Sequence, residues 1–113
     1  MLTTSTTTEM PPVHERKRAP THPGAIIKHE CMEPMSLSVT ALAEALGVSR
    51  KTVSKIVNER GAVTADMALR LSRAFKTTPQ VWIDLQKDYE LWHAATGSDG
   101  WKKVKTVELN RFA

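Results

Sequence analysis

The stretch from Val39 to Gly61, VTALAEALGVSRKTVSKIVNERG, constrains the fold more than any other part of the chain. Its first half is small and apolar, with Leu42, Ala43 and Leu46 at helical spacing. It breaks at Gly47, because glycine takes the left-handed conformation without steric penalty. The second half buries Val53, Ile56 and Val57 and interleaves them with Arg50, Lys51, Thr52, Ser54 and Lys55. Two helices that cross at about 90–120° through a tight turn need a small residue at the crossing. Ala43 supplies it, Gly47 makes the turn, and Val48 plugs it. The pattern therefore predicts a helix-turn-helix whose second helix leaves Ser49, Arg50, Lys51, Thr52, Ser54, Lys55 and Asn58 on its outer face or at its edges. Thr40, near the start of the first of the two helices, joins that set.

The flanking segments extend this pattern into an all-α domain. Pro23 suits a first helical position, and Ile26, Ile27 and Cys31 or Met32 give a short apolar face that Pro34 ends. Ser38 caps the helix Val39–Leu46, and Ser49 caps a third from Arg50 to about Asn58, closed by Gly61. Thr64 caps a fourth to about Phe75, with Met67, Ala68, Leu71 and Phe75 inward, and Thr78-Pro79 opens a fifth to about Ala94. Apolar residues make up 41 % of the chain and aromatics only 5 %, which suits an aliphatic helical core better than a β-sandwich. Residues 1–21, rich in Thr, Pro and charge, read as a flexible arm ending in the basic run His14-Glu15-Arg16-Lys17-Arg18. Residues 22–95 form the domain. Residues 96–113 are a C-terminal extension in which Val107 and Leu109 alternate with polar neighbours, a pattern that fits a short edge strand and an unfolded basic tail equally well.

A net charge of +4 and a pI near 9.5 favour an acidic partner, nucleic acid above all. A helix fits the major groove of B-DNA, and Arg and Lys near its start can donate to guanine O6 and N7 while Ser and Thr serve several bases. The plainer alternative is a helical hairpin with a solvated basic face. On the fifth helix Trp82, Leu85, Tyr89 and Trp92 recur at intervals of three and four, more aromatic surface than a small domain buries by itself. The stripe reads as a homodimer contact, part of which completes the core; the plainer alternative is that all of it is monomer core. The His29-Glu30-Cys31-Met32-Glu33 cluster lacks the second histidine of a zinc-protease motif, and no Ser/His/Asp set or phosphate-binding glycine loop is present. No metal, no cofactor and no enzymatic activity are expected. Nor does any run approach the roughly 18 apolar residues of a membrane span. A lone cysteine and an N-terminus without the apolar stretch of a signal peptide point to the cytoplasm.

The segment from His22 to Trp92 resembles the HigA-type (VapI-like) antitoxins of bacterial type II toxin–antitoxin modules. The likeness rests on His22-Pro23-Gly24, Ala43 through Ser49, Thr64-Ala65-Asp66-Met67-Ala68-Leu69-Arg70-Leu71, and Pro79 through Leu85, in that order and spacing. The helix-turn-helix portion alone is shared with phage-repressor-like (Xre/Cro-type) regulators, whereas TADMALRLSRAF and TTPQVWIDLQ are more diagnostic. This resemblance implies a five-helix, phage-repressor-like DNA-binding fold. It implies a dimer that binds operator DNA and represses its own operon, and it implies neutralisation of a cognate RelE-like toxin, an mRNA endonuclease of the HigB type. The competing readings are a stand-alone regulator of the same fold without a toxin, and a protein that chiefly sequesters a partner. The Arg16-Lys17-Arg18 run fits a minor-groove arm, a toxin contact or a solvated stretch.

Overall fold

The computed structural model describes residues 12–108, which hold five helices and no strand. The N-terminal MLTTSTTTEM segment and the chain from Leu109 onward lie outside the described residues. Helix α1 is Pro23–Ile26, continued by a wider π-type turn over Ile27–Met32 and a 3-10 turn over Glu33–Met35. Then follow α2 (Val39–Leu46), α3 (Arg50–Val57), α4 (Ala65–Phe75) and α5 (Pro79–Gly97). Each of the last four begins on a hydroxyl that satisfies one of the otherwise unpaired N–H groups of the first turn. Ser38 Oγ accepts from Ala41 N–H at 3.0 Å, Ser49 Oγ from Thr52 N–H at 3.1 Å, Thr64 Oγ1 from Met67 N–H at 3.2 Å and Thr78 Oγ1 from Val81 N–H at 3.4 Å.

The helix ends are less uniform. Gly47 stops α2 at φ 73°, its N–H reaching back to the carbonyls of Ala43 and Glu44. The expectation that Gly61 closes α3 needs correction, because the left-handed residue there is Glu59, at φ 63°. Arg60 and Gly61 both donate to the Lys55 carbonyl, at 2.7 and 3.1 Å. Gly61 is small for a different reason: a Cβ on it would stand 3.2 Å from Lys55 Cβ, so the loop passes close over the helix it leaves. The π-type turn after α1 also has a packing reason. Ile27 and Met32 are five apart, and a turn with five-residue hydrogen bonding brings both to the buried side.

The core gathers Ile27, Leu42, Leu46, Val53, Ile56, Val57, Met67, Ala68, Leu71 and Trp82 between α1 and the four longer helices. Burying an aliphatic side chain of this size contributes about 1.5–3 kcal/mol. Ala43 is buried on α2, which packs against α3 and α4, and Ala68 is wholly inaccessible on α4. Gln86 is a buried polar exception. Its side-chain oxygen accepts from Val63 N–H at 2.8 Å, and its amide donates to Glu90 at 2.8 Å, so the loop after α3 is latched to α5.

Two regions lie differently from the sequence expectation. Trp82, read there as part of a dimer stripe, is 2 % exposed and belongs to the core of its own chain, with Nε1 donating to Thr77 Oγ1 at 2.7 Å. Within the stretch read as a flexible arm, residues 13–15 form a 3-10 turn packed along α5. Trp92 Nε1 donates to the Arg16 carbonyl at 2.7 Å, and His14 meets the Trp101 ring edge-on. The aromatic stripe thus finds part of its cover within the same chain. In the C-terminal extension, residues 100–103 form a 3-10 turn, and the backbone from Val104 to Glu108 is neither helix nor strand.

Candidate nucleic-acid interface

Helix α3 presents the outer face that the sequence suggested. Val53, Ile56 and Val57 point into the core, whereas Arg50, Lys51, Lys55 and Asn58 are exposed and Ser54 is half-buried at the edge. Ser49 and Thr52 are held as a pair: their hydroxyls lie 2.9 Å apart while Ser49 also accepts the Thr52 N–H. Asn58 donates to Ser54 Oγ at 3.2 Å. Thr40, the second residue of α2, faces Arg50 across the angle between the helices at 3.5 Å. Val39, Thr40, Arg50, Lys51 and Ser54 line an open groove of about 620 Å³. All eight residues singled out in the sequence therefore sit on the exposed side or edge of the helix-turn-helix. None of the four charged or amide side chains is drawn into an ion pair among the described residues.

The turn itself is fixed from behind. Arg70 of α4 donates to the Leu46 carbonyl at 2.8 Å and to the Gly47 carbonyl at 3.3 Å, while Asp66 holds its Nε at 2.7 Å. One side chain thereby satisfies carbonyls that α2 leaves unpaired at its C-terminus and places a positive charge against that end of its dipole. Sequence reasoning did not single out this residue. Asp66 and Arg70 read as an ordinary i,i+4 surface pair, and only tertiary packing reveals the third partner. Gly24 was likewise quoted only as part of a motif. A Cβ on it would lie 1.7 Å from the Ile56 carbonyl oxygen, so the first turn of α1 rests directly on the backbone of α3.

The stripe on α5 divides. Trp82 is core, Leu85 is half-buried against it, and Tyr89 and Trp92 are half-buried beside His22 and the N-terminal turn. Alongside, the exposed Leu91 with Ala94, Ala95, His14 and Trp101 lines a pocket of about 350 Å³. At the other candidate cluster, His29 Nδ1 and Glu33 Oε2 form a surface pair at 3.1 Å. Burial first, and the neighbouring Glu30 carboxylate second, push the Cys31 thiol above its usual value, which disfavours the nucleophilic thiolate.

Residues 29–82 match the helix-turn-helix family HTH_3. The antitoxin HigA-1 of Vibrio cholerae is 41 % identical over 80 residues, 71 % of this chain and 75 % of that protein. This chain belongs to the HigA-type helix-turn-helix antitoxin family. The HTH-type transcriptional regulator YbaQ of Escherichia coli, itself uncharacterised, is 43 % identical over 91 residues, 80 % of each chain. Among solved structures, the antitoxin GraA in complex with its operator superposes with a TM-score of 0.75 at 42 % identity, covering 83 % of this chain and 97 % of that one. The Pseudomonas aeruginosa antitoxin HigA with the higBA promoter gives 0.71 at 41 % identity, over 79 % and 99 %. As a member, the HigA-type chain is a DNA-binding transcriptional regulator of repressor-like, five-helix fold and not an enzyme. Among its described residues no helix is long and apolar enough to cross a membrane.

Proposed function

We propose that this HigA-type protein represses its own operon by binding operator DNA as a dimer, and that it neutralises a cognate RelE-like mRNA endonuclease. The observation that carries the DNA part is the reading face of α3. Arg50, Lys51, Lys55 and Asn58 stand exposed on a helix fixed at its start by Ser49, beside the groove shared with Thr40. In this geometry the first turn of α3 enters the major groove, where Arg50 and Lys51 donate to base edges and Ser49 and Thr52 lie close to the phosphates. Relatives of this chain carry the names of an antitoxin with its operator and an antitoxin with its promoter, which supports the same placement.

A dimer brings two such helices to half-sites about 34 Å apart. For the contact we favour the C-terminal half of α5, where Leu85, Tyr89 and Trp92 remain half-open and Leu91 and Trp101 extend the apolar surface. Mobility shifts on the chain's own promoter and on a scrambled duplex, with sedimentation of the complex, test this part. Equal affinity for both duplexes would falsify sequence-specific repression. The toxin part is tested by co-expression with the product of the adjacent gene. Co-purification and restored growth are expected, whereas a regulator that binds its operator yet has no such partner fits the stand-alone reading, which the likeness to YbaQ supports.

A further inference from the structure

One buried ring joins the reading helix to the rest of the domain. His22 is 4 % exposed, and its Nδ1 accepts the N–H of Gly24 at 2.8 Å, capping α1 in place of a hydroxyl. The ring meets Tyr89 of α5 edge-on, with centroids 4.7 Å apart. Two residues along, Gly24 lies against the Ile56 carbonyl in the last turn of α3, at a distance no side chain could share. The histidine therefore fixes the first turn of α1, and that turn is the surface on which the end of α3 rests.

The cap works only with an unprotonated Nδ1. When neutral, the ring carries its proton on Nε2 and offers Nδ1 as an acceptor; when charged, both nitrogens are donors, and Nδ1–H would point at Gly24 N–H. Glu59, from the turn after α3, and Tyr89 and His93, from α5, are the titratable groups that face the ring. We propose that neutral His22 is a positioning residue for the reading helix, and that a proton on its Nδ1 frees α1 from Ile56 and weakens operator binding. This rests on the operator reading above.

Burial is the largest influence on His22 and holds it below the ordinary imidazole value. The Glu59 charge and the Gly61 backbone oppose that shift, and His93 adds to it. The unfolded chain then binds the proton more readily than the folded one. The contribution is complete above the unfolded value of about 6.5 and is lost as pH falls through the lower folded value. The direction is informative for DNA binding. Positive charge gained on acidification by itself strengthens attraction to phosphates. Only a structural release makes affinity fall.

The test compares the full chain with His22→Asn, whose side-chain oxygen can accept from Gly24 N–H but does not titrate, and with His22→Ala, which lacks the cap. Operator affinity is measured by fluorescence anisotropy at constant salt across a pH series, from about one unit above the ordinary histidine value to about two units below it. The parent should lose about five- to tenfold in affinity on acidification, the effect of one lost helix cap. His22→Asn should hold steady or gain, and His22→Ala should be weak throughout. Parallel loss in parent and His22→Asn would overturn the proposal. Amide exchange across Val53–Val57, corrected for intrinsic rates, gives an arm independent of DNA. Acid should speed it in the parent and not in His22→Asn, and equal acceleration in both would also overturn the proposal. Failure of the parent to bind its promoter at the higher pH would sink the operator reading alone, leaving the exchange data to decide on His22.

Discussion

Around the helix-turn-helix, hydrogen bonds to backbone do the holding and the outward polar and basic side chains of α3 are left bare, whereas along the second half of α5 the aromatic side chains do the holding. In the first region Ser38, Gly47, Ser49 and Arg70 all act on main-chain groups, and the small Ala43 is buried on α2, which packs against α3 and α4. Arg50 and Lys51 contribute nothing to that framework beyond one long contact to Thr40. In the second region Tyr89 and Trp92 are engaged by His22 and the Arg16 carbonyl, and Trp101, in the turn after α5, by His14. The difference separates two design problems. A surface that reads bases, as proposed for α3, needs side chains free to reach out from a rigid backbone, while a terminal segment without a long helix of its own is secured by whatever large side chains lie beneath it.

The largest effect should come from Trp82, the member of the aromatic stripe that lies in the core. Trp82→Ala should cost about 3–5 kcal/mol in stability by urea unfolding, since it empties a fully enclosed site. A loss near zero would return Trp82 to the surface and undo the division of the stripe. The reading face should behave in the opposite way. Arg50→Ala and Lys51→Ala should each cost about 1–3 kcal/mol of operator affinity where the residue meets a base edge, with the melting temperature unmoved. A mutant that binds normally would remove that side chain from the interface, and one that melts early would show it belongs to the framework.

Arg70→Ala sharpens the contrast from the framework side. It should lower stability by about 1 kcal/mol, since the hydrogen bonds to Leu46 and Gly47 are charge-assisted but partly exposed. Operator affinity should fall along with it, because the turn that aims α3 loses its support. Stability loss with unchanged binding would separate the turn from the aim of α3. The smallest effect belongs to Trp92→Phe, which keeps the ring but deletes the donor to the Arg16 carbonyl, at about 0.5–1 kcal/mol. Trypsin should then cut faster at Arg16, Lys17 and Arg18. Unchanged cleavage would mean that the N-terminal turn is secured by other contacts.

What could be read from the sequence follows the same division. The four capped helix starts, the Gly47 stop and the outward set on α3 depend on residues within a few positions of one another, and local rules reach that far. The side chains that reach across the chain escaped such rules. Arg70 finds its carbonyls 24 and 23 positions away, Gln86 finds Val63 N–H 23 away, and Trp92 finds the Arg16 carbonyl 76 away. The Thr-, Pro- and charge-rich N-terminal segment carries no periodicity of its own, so nothing local announces that Val13–Glu15 lies along α5. Gly61 misled for a related reason, because the local rule assigns a glycine to the left-handed turn while the fold uses it for clearance and lets Glu59 make the turn.

The hydroxyls at Ser38, Ser49, Thr64 and Thr78 also bear on how fast such a chain becomes usable. Each helix from α2 onward carries its own start signal within its first turn, so helical turns can nucleate before distant partners meet. Chains dominated by such short-range contacts cross low barriers, with folding times on the order of microseconds to milliseconds. If the protein holds a toxin in check, as proposed above, its supply has to keep pace with its loss. With folding this rapid, supply would be limited by synthesis.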